Sequence, residues 1–114
     1  MVSYMLLLIV RIREYITQLG NNPFAKWFDD LDSMAATKVA VAISRMEAGN
    51  FSNIKWFSGI GEYKINWGPG YRIYLAKDGE KLIILFGGGI KKSQKKDIEK
   101  AKLLFQEYKQ RKGN

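Results

Sequence analysis

The chain has 114 residues, 19 Lys and Arg against 11 Asp and Glu, a net charge of +8, and neither cysteine nor histidine. Without cysteine there is no disulfide framework, thiolate zinc site or thiol nucleophile; without histidine there is no Ser-His-Asp triad, no HExxH zinc site and no imidazole proton shuttle. The 46% hydrophobic residues and 15 aromatics belong to one folded domain, residues 1–114, and any catalysis falls to carboxylates, amines, guanidiniums or phenols.

Met5 to Tyr15 reads as a strand, with Val10, Ile12 and Glu14 alternating against Arg11, Arg13 and Tyr15. Residues 1–9 are expected to be a loosely held or apolar extension of it. The apolar run is too short to span a bilayer and has no flanking export signal, so a cytoplasmic protein is expected. Asn22 is placed to cap a helix opened by Pro23, whose apolar face is Phe24, Trp27, Phe28 and Leu31. Asp32-Ser33 starts a second helix, with Ala35, Val39, Ala42 and Met46 along one stripe and Gly49-Asn50 at its end.

After residue 53 the period changes. Ile54 to Ile60 is expected as a short strand. Glu62 to Trp67 alternates strictly, Gly68-Pro69-Gly70 turns the chain, and Tyr71 to Ala76 returns. Lys77 to Glu80 makes a second hairpin loop into the apolar run Lys81 to Phe86, expected as a central strand ended by Gly87-Gly88-Gly89. Ser93 is expected to cap a last helix with Ile98, Ala101, Phe105 and Tyr108 inward. The order β-α-α-β-β-β(-β)-α predicts an α+β domain: an antiparallel sheet with an N-terminal strand, a helical hairpin and a C-terminal helix.

Charge is divided along this order. Residues 1–53 balance five basic and five acidic groups, whereas residues 54–114 carry 14 basic and six acidic ones. Such a one-sided field draws polyanions; a solvated lysine-rich surface or an acidic protein partner would give the same composition. Gly87-Gly88-Gly89 with Lys91-Lys92-Ser93 lacks the GxxxxGK[ST] spacing of a phosphate loop, and no carboxylate pair stands out. The strongest candidate is a set of cations on the hairpin sheet. If the register follows the tight turn, Lys64 or Asn66 shares one face with Arg72; Lys91 and Lys92 leave the next strand nearby, and Lys55 precedes the hairpin. Arginine suits a phosphodiester by bidentate bonding and lysine by point charge. Trp56, Phe57 and Trp67 are candidates to stack bases or to fill the core. Gln94, Lys95 and Lys96 extend the basic set as RNA-binding candidates.

Several segments in order resemble one family. They are Pro23-Phe24 with Trp27-Phe28, Gly49-Asn50-Phe51, Glu62-Tyr63-Lys64-Ile65, Gly68-Pro69-Gly70-Tyr71-Arg72-Ile73-Tyr74, and Gly87-Gly88 with Lys91, Ser93-Gln94, Asp97-Ile98 and Ala101. The family is the addiction-module killer proteins, a HigB-like branch of the RelE/ParE toxin superfamily, and the likeness runs from about Arg11 onward. The resemblance implies a RelE-like fold and the toxin of a type II toxin–antitoxin pair. Its expected partners are a protein antitoxin with a helix-turn-helix, mRNA and the ribosome, with no membrane. Relatives of this kind cleave mRNA by metal-independent attack of the ribose 2′-hydroxyl on the adjacent phosphate, which needs no cofactor. Carried over, Arg72 would stabilise the phosphate, with Lys64 and Lys91 or Lys92 as further basic positions. The Tyr or His that many relatives carry near the start of the last helix is matched here only by Ile98. That leaves a lysine, Tyr63 or Asp97 as candidate bases. ParE-type relatives instead poison a protein such as DNA gyrase, and an inactive antitoxin-binding module is a third option.

Overall fold

The structure is a computed structural model and describes residues 9–113. Of the extension expected over residues 1–9, residues 1–8 lie outside the described residues, and Ile9 is exposed and precedes the first strand. Strands are β1 (Arg11–Glu14), β2 (Ile54–Phe57), β3 (Ile60–Ile65), β4 (Tyr71–Lys77) and β5 (Leu82–Gly89), and helices are α1 (Pro23–Asp29), α2 (Ser33–Glu47) and α3 (Gln94–Gly113). The fold is α+β, with one five-stranded sheet in the order β1-β5-β4-β3-β2.

Both early helices begin where their caps dictate. Asn22 Oδ1 accepts from the Ala25 amide at 2.9 Å, and Asp32 Oδ1 from the Ala35 amide at 2.8 Å. The hairpin lies on one face of the sheet. Phe24, Val39, Ala42 and Met46 pack there against Tyr63, Ile73, Leu75, Ile83 and Leu85. On the other face Tyr15, Ile60, Tyr74, Ala76, Ile84 and Phe86 meet Ala101 of α3, with Ile98, Phe105 and Tyr108 beside it. Alternation along β4 and β5 supplies both cores, which is why β5 reads as an unbroken apolar run.

Four details depart from the sequence pattern. The strands β2 to β5 are joined by antiparallel hairpins, but β1 pairs with β5 in parallel, Arg11 opposite Leu82 through Glu14 opposite Leu85. Parallel pairing needs a long crossover, and here the helical hairpin and three strands supply it. The stretch from Ile54 to Ile60 is not one strand, because Ser58 and Gly59 take φ of 50° and 83° and close a two-residue hairpin between Phe57 and Ile60.

Gly87-Gly88-Gly89 does not end β5 but continues it opposite Tyr74, Ile73 and Arg72, after a bulge between Tyr74 and Leu75. The missing side chains admit neighbours on both faces. A Cβ on Gly88 would lie 2.3 Å from the Trp27 ring, and one on Gly89 would lie 1.9 Å from Asp97 Oδ2. Finally, Ser93 does not cap α3 through a backbone amide. It sits in a 3-10 turn over Lys91–Ser93, and its hydroxyl bonds the Asp97 carboxylate at 2.5 Å and the Ile90 carbonyl at 3.3 Å.

The far half of α3 is tied down by two phenol–carboxylate pairs. Tyr15 donates to Glu107 at 2.5 Å, and Arg111 bonds both the Tyr15 hydroxyl and the Ile16 carbonyl. Tyr108 donates to Asp78, which also accepts from Lys112. The Tyr15 bond and the Gln18 amide hold the Glu107 carboxyl below the usual range. The Lys112 and Tyr108 bonds do the same for Asp78. Burial, with the Asp78 bond and charge, pushes the Tyr108 phenol up to about 12. Among the described residues no helix is long and apolar enough to cross a membrane.

Candidate functional site

Strand parity places Glu62 and Lys64 of β3 on the same face as Arg72 and Tyr74 of β4, beneath the start of α3. Register pairs Lys64 with Arg72 and Glu62 with Tyr74 directly. Lys64 is exposed, but Arg72 is only 3% exposed and Glu62 5%. Arg72 Nε lies 3.6 Å from Glu62 Oε2 without a hydrogen bond, and Nη1 donates to the Gly70 carbonyl at 2.7 Å. Gln94 at the first turn of α3 donates to the same Glu62 oxygen at 2.8 Å.

The Tyr74 hydroxyl, also buried, has no hydrogen-bond partner among the described residues. Burial first, then the charges of Glu62 and Asp97, push its phenol far above its ordinary value, so it stays protonated. The result is a polar seam under α3 with a cation, a carboxylate, an amide and a phenol.

Gly70 links this seam to the cation that leaves β5. A Cβ at Gly70 would sit 3.1 Å from Arg72 Nη1 and 3.4 Å from the Cβ of Lys91, and its φ is +78°. The Lys91 amide donates to the Pro69 carbonyl at 3.3 Å. The Gly68-Pro69-Gly70 turn therefore holds Arg72 and Lys91 side by side.

Of the predicted residues, the fold brings together Arg72, Lys64, Lys91 and Gln94. Lys55 is exposed on β2, opposite Glu62, and borders the same face. Lys92, Lys95 and Lys96 line a separate shallow groove at the start of α3. Trp56 is not part of the cluster. It stands opposite Gly61 on the hairpin-covered face, with Lys77 Nζ 5.9 Å from its ring. Phe57 packs into the α3-side core.

Of the base candidates, Tyr63 is buried on the far face, bonded by Asn53, while Asp97 lies on the Arg72 side against Gly89. Ile98 belongs to the core. Sequence reasoning missed Glu62, Gln94 as its partner, and Tyr74. Parity carried the signal, since 62 and 64 must share a face, as must 72 and 74; a strand-by-strand search for cations passes over the carboxylate between them.

No protein-family model matches the chain, and no solved structure matches it. An uncharacterized protein of Haemophilus influenzae is 44% identical to it over 86 residues, 74% of this chain and 87% of that protein. The chain belongs to the same family as that protein.

Proposed function

We propose that the chain is the toxin of a type II toxin–antitoxin module and cleaves mRNA on the ribosome. The observation that carries the reading is the pairing of Lys64 with Arg72, beside a turn that brings Lys91 against Arg72. The family resemblance supports it, as does the concentration of basic residues after residue 53. In this reading Lys64 and Lys91 receive the scissile phosphate at the mouth of the seam, and Arg72 adds positive potential from behind. The bond to the Gly70 carbonyl and the nearby Glu62 carboxylate, itself bonded by Gln94, fix the guanidinium, so little reorganisation is needed when charge develops. Asp97 is the carboxylate on the correct face to take the 2′-hydroxyl proton.

One observation favours a second reading. Arg72 is almost wholly buried and neutralised by Glu62, an arrangement that also suits a toxin of the same fold that binds a protein target without chemistry. Purified protein incubated with translating ribosomes, followed by mapping of mRNA 5′ ends, separates the two. New ends that vanish in Lys64→Ala support the ribonuclease. Growth arrest with intact mRNA and gyrase-linked DNA breaks would support the binder.

A further inference from the structure

Two features converge on one oxygen of Asp97, which stands half-buried in the first turn of α3. Its Oδ2 lies 1.9 Å from the place a Cβ on Gly89 would occupy, so a bare backbone there is what lets the carboxyl down onto β5. The same oxygen accepts the Ser93 hydroxyl at 2.5 Å. A hydroxyl has one proton to donate, and the Ile90 carbonyl, at 3.3 Å, is the more distant acceptor. Among the described residues nothing donates to the other oxygen, Oδ1, and no cation pairs with the carboxylate.

Ser93 is itself a fixed point. It ends the 3-10 turn over Lys91–Ser93, in which the Lys91 amide bonds the Pro69 carbonyl and the Ser93 amide bonds the Ile90 carbonyl. That turn also carries Lys91 against Gly70, beside Arg72. Through Ser93 the carboxylate is therefore tied to the same turn as a cation of the site. A bond to one oxygen restricts how a carboxylate can swing and leaves the lone pairs of the second oxygen unspent, which is what a general base needs.

The carboxylate is also open and in line with the cations. Register sets Lys64, Arg72 and Gly89 in one row across β3, β4 and β5. Gly89, with Asp97 over it, is two strand spacings, about 10 Å, from the Lys64 backbone. A phosphate held from the Lys64 end thus has Asp97 at the far end of the same row. Beyond Gly89, Asp97 lines a cleft of about 270 Å³ between α1 and α3, with Gly87 and Gly88 on its floor, so the side chain is not sealed from a substrate.

We propose that Ser93 is a positioning residue for RNA cleavage: it holds Asp97 by Oδ2 and keeps Oδ1 free to take the 2′-hydroxyl proton. This role rests on the ribonuclease reading, with Asp97 as its base.

The test is a double-mutant cycle on Ser93 and Asp97, with kcat and KM measured from cleavage of a labelled mRNA on ribosomes. Removing the base in Asp97→Asn should lower kcat about 10²–10⁴-fold. Ser93→Ala should lower kcat about 10- to 100-fold, the cost of a misplaced reacting group, with KM and the melting curve unchanged. Ser93→Thr keeps the hydroxyl and should restore most of that loss. In the Asp97→Asn background Ser93→Ala should cost nothing further, because its effect passes through the carboxylate. A Ser93→Ala protein as active as the wild type overturns the proposal and leaves the ribonuclease reading standing. So does an equal loss in both backgrounds, or a loss that follows a lowered melting temperature and is not rescued by threonine. A wild type that cuts no RNA removes the ribonuclease reading and this role with it.

Discussion

Replacing Arg72 by alanine removes the cation 3.6 Å from Glu62 and leaves that carboxylate in a site only 5% exposed. Breaking one side of a buried ion pair costs about 3–5 kcal/mol, because the remaining charge is stranded. Domains of this size are stable by only about 5–15 kcal/mol, so the variant gives up a large part of its margin. The Nη1 bond to the Gly70 carbonyl is lost as well, which loosens the turn beside Lys91. The partner substitution reverses much of this. In Glu62→Gln/Arg72→Ala the stranded charge is gone, while the amide still meets Gln94. Urea unfolding followed by tryptophan fluorescence measures all three variants. The single Arg72→Ala should lose about 3 kcal/mol or more, and the double variant should recover at least about 1 kcal/mol of it. An Arg72→Ala protein within about 1 kcal/mol of wild type would refute the buried-pair reasoning. So would a double variant no more stable than the single one. An inactive Arg72→Ala variant is therefore weak evidence for catalysis unless its folding is measured too.

Gly88→Ala places a methyl 2.3 Å from the Trp27 ring and should cost about 1–3 kcal/mol with a shifted fluorescence maximum. Asp78 and Glu107 have carboxyls held below their ordinary values, so their contribution is whole above about pH 4 and fades as acid protonates them. Hydrogen exchange should show the C-terminal turns of α3 losing protection in that acid range ahead of β4 and β5. Tyr74, Tyr15 and Tyr108 are held protonated with raised values, so their contribution is whole below about pH 10 and is lost as alkali ionises them. A melting temperature that falls above about pH 10, with phenolate absorbance rising at the same point, checks it.

The sequence showed the layers well because local rules agreed with the fold. Asn22-Pro23 and Asp32 are capping signals that the structure uses directly, and the stripe Val39, Ala42, Met46 faces the sheet. The Gly68-Pro69-Gly70 turn set the register that pairs Lys64 with Arg72. What escaped depends on contacts distant in the chain. The parallel entry of β1 depends on what lies between it and β5, and no local pattern in Arg11 to Glu14 marks its direction. The three glycines look like a terminator until Trp27 and Asp97 are seen to need their bare backbone. The burial of Arg72 goes with Glu62 at 3.6 Å, which in turn accepts from Gln94, 32 residues further along the chain.

The most direct test of the account uses a substitution that spares the core. Lys64 is exposed, so Lys64→Ala should change stability by no more than about 0.5 kcal/mol. With translating ribosomes, the wild type should create new mRNA 5′ ends, and their upstream fragments should carry 2′,3′-cyclic phosphate or its hydrolysis product. Lys64→Ala, equally folded, should reduce those ends at least about tenfold, the scale of one charge contact worth about 1.4 kcal/mol in the transition state. Intact mRNA at every dose of a wild-type protein that still arrests growth would contradict the account.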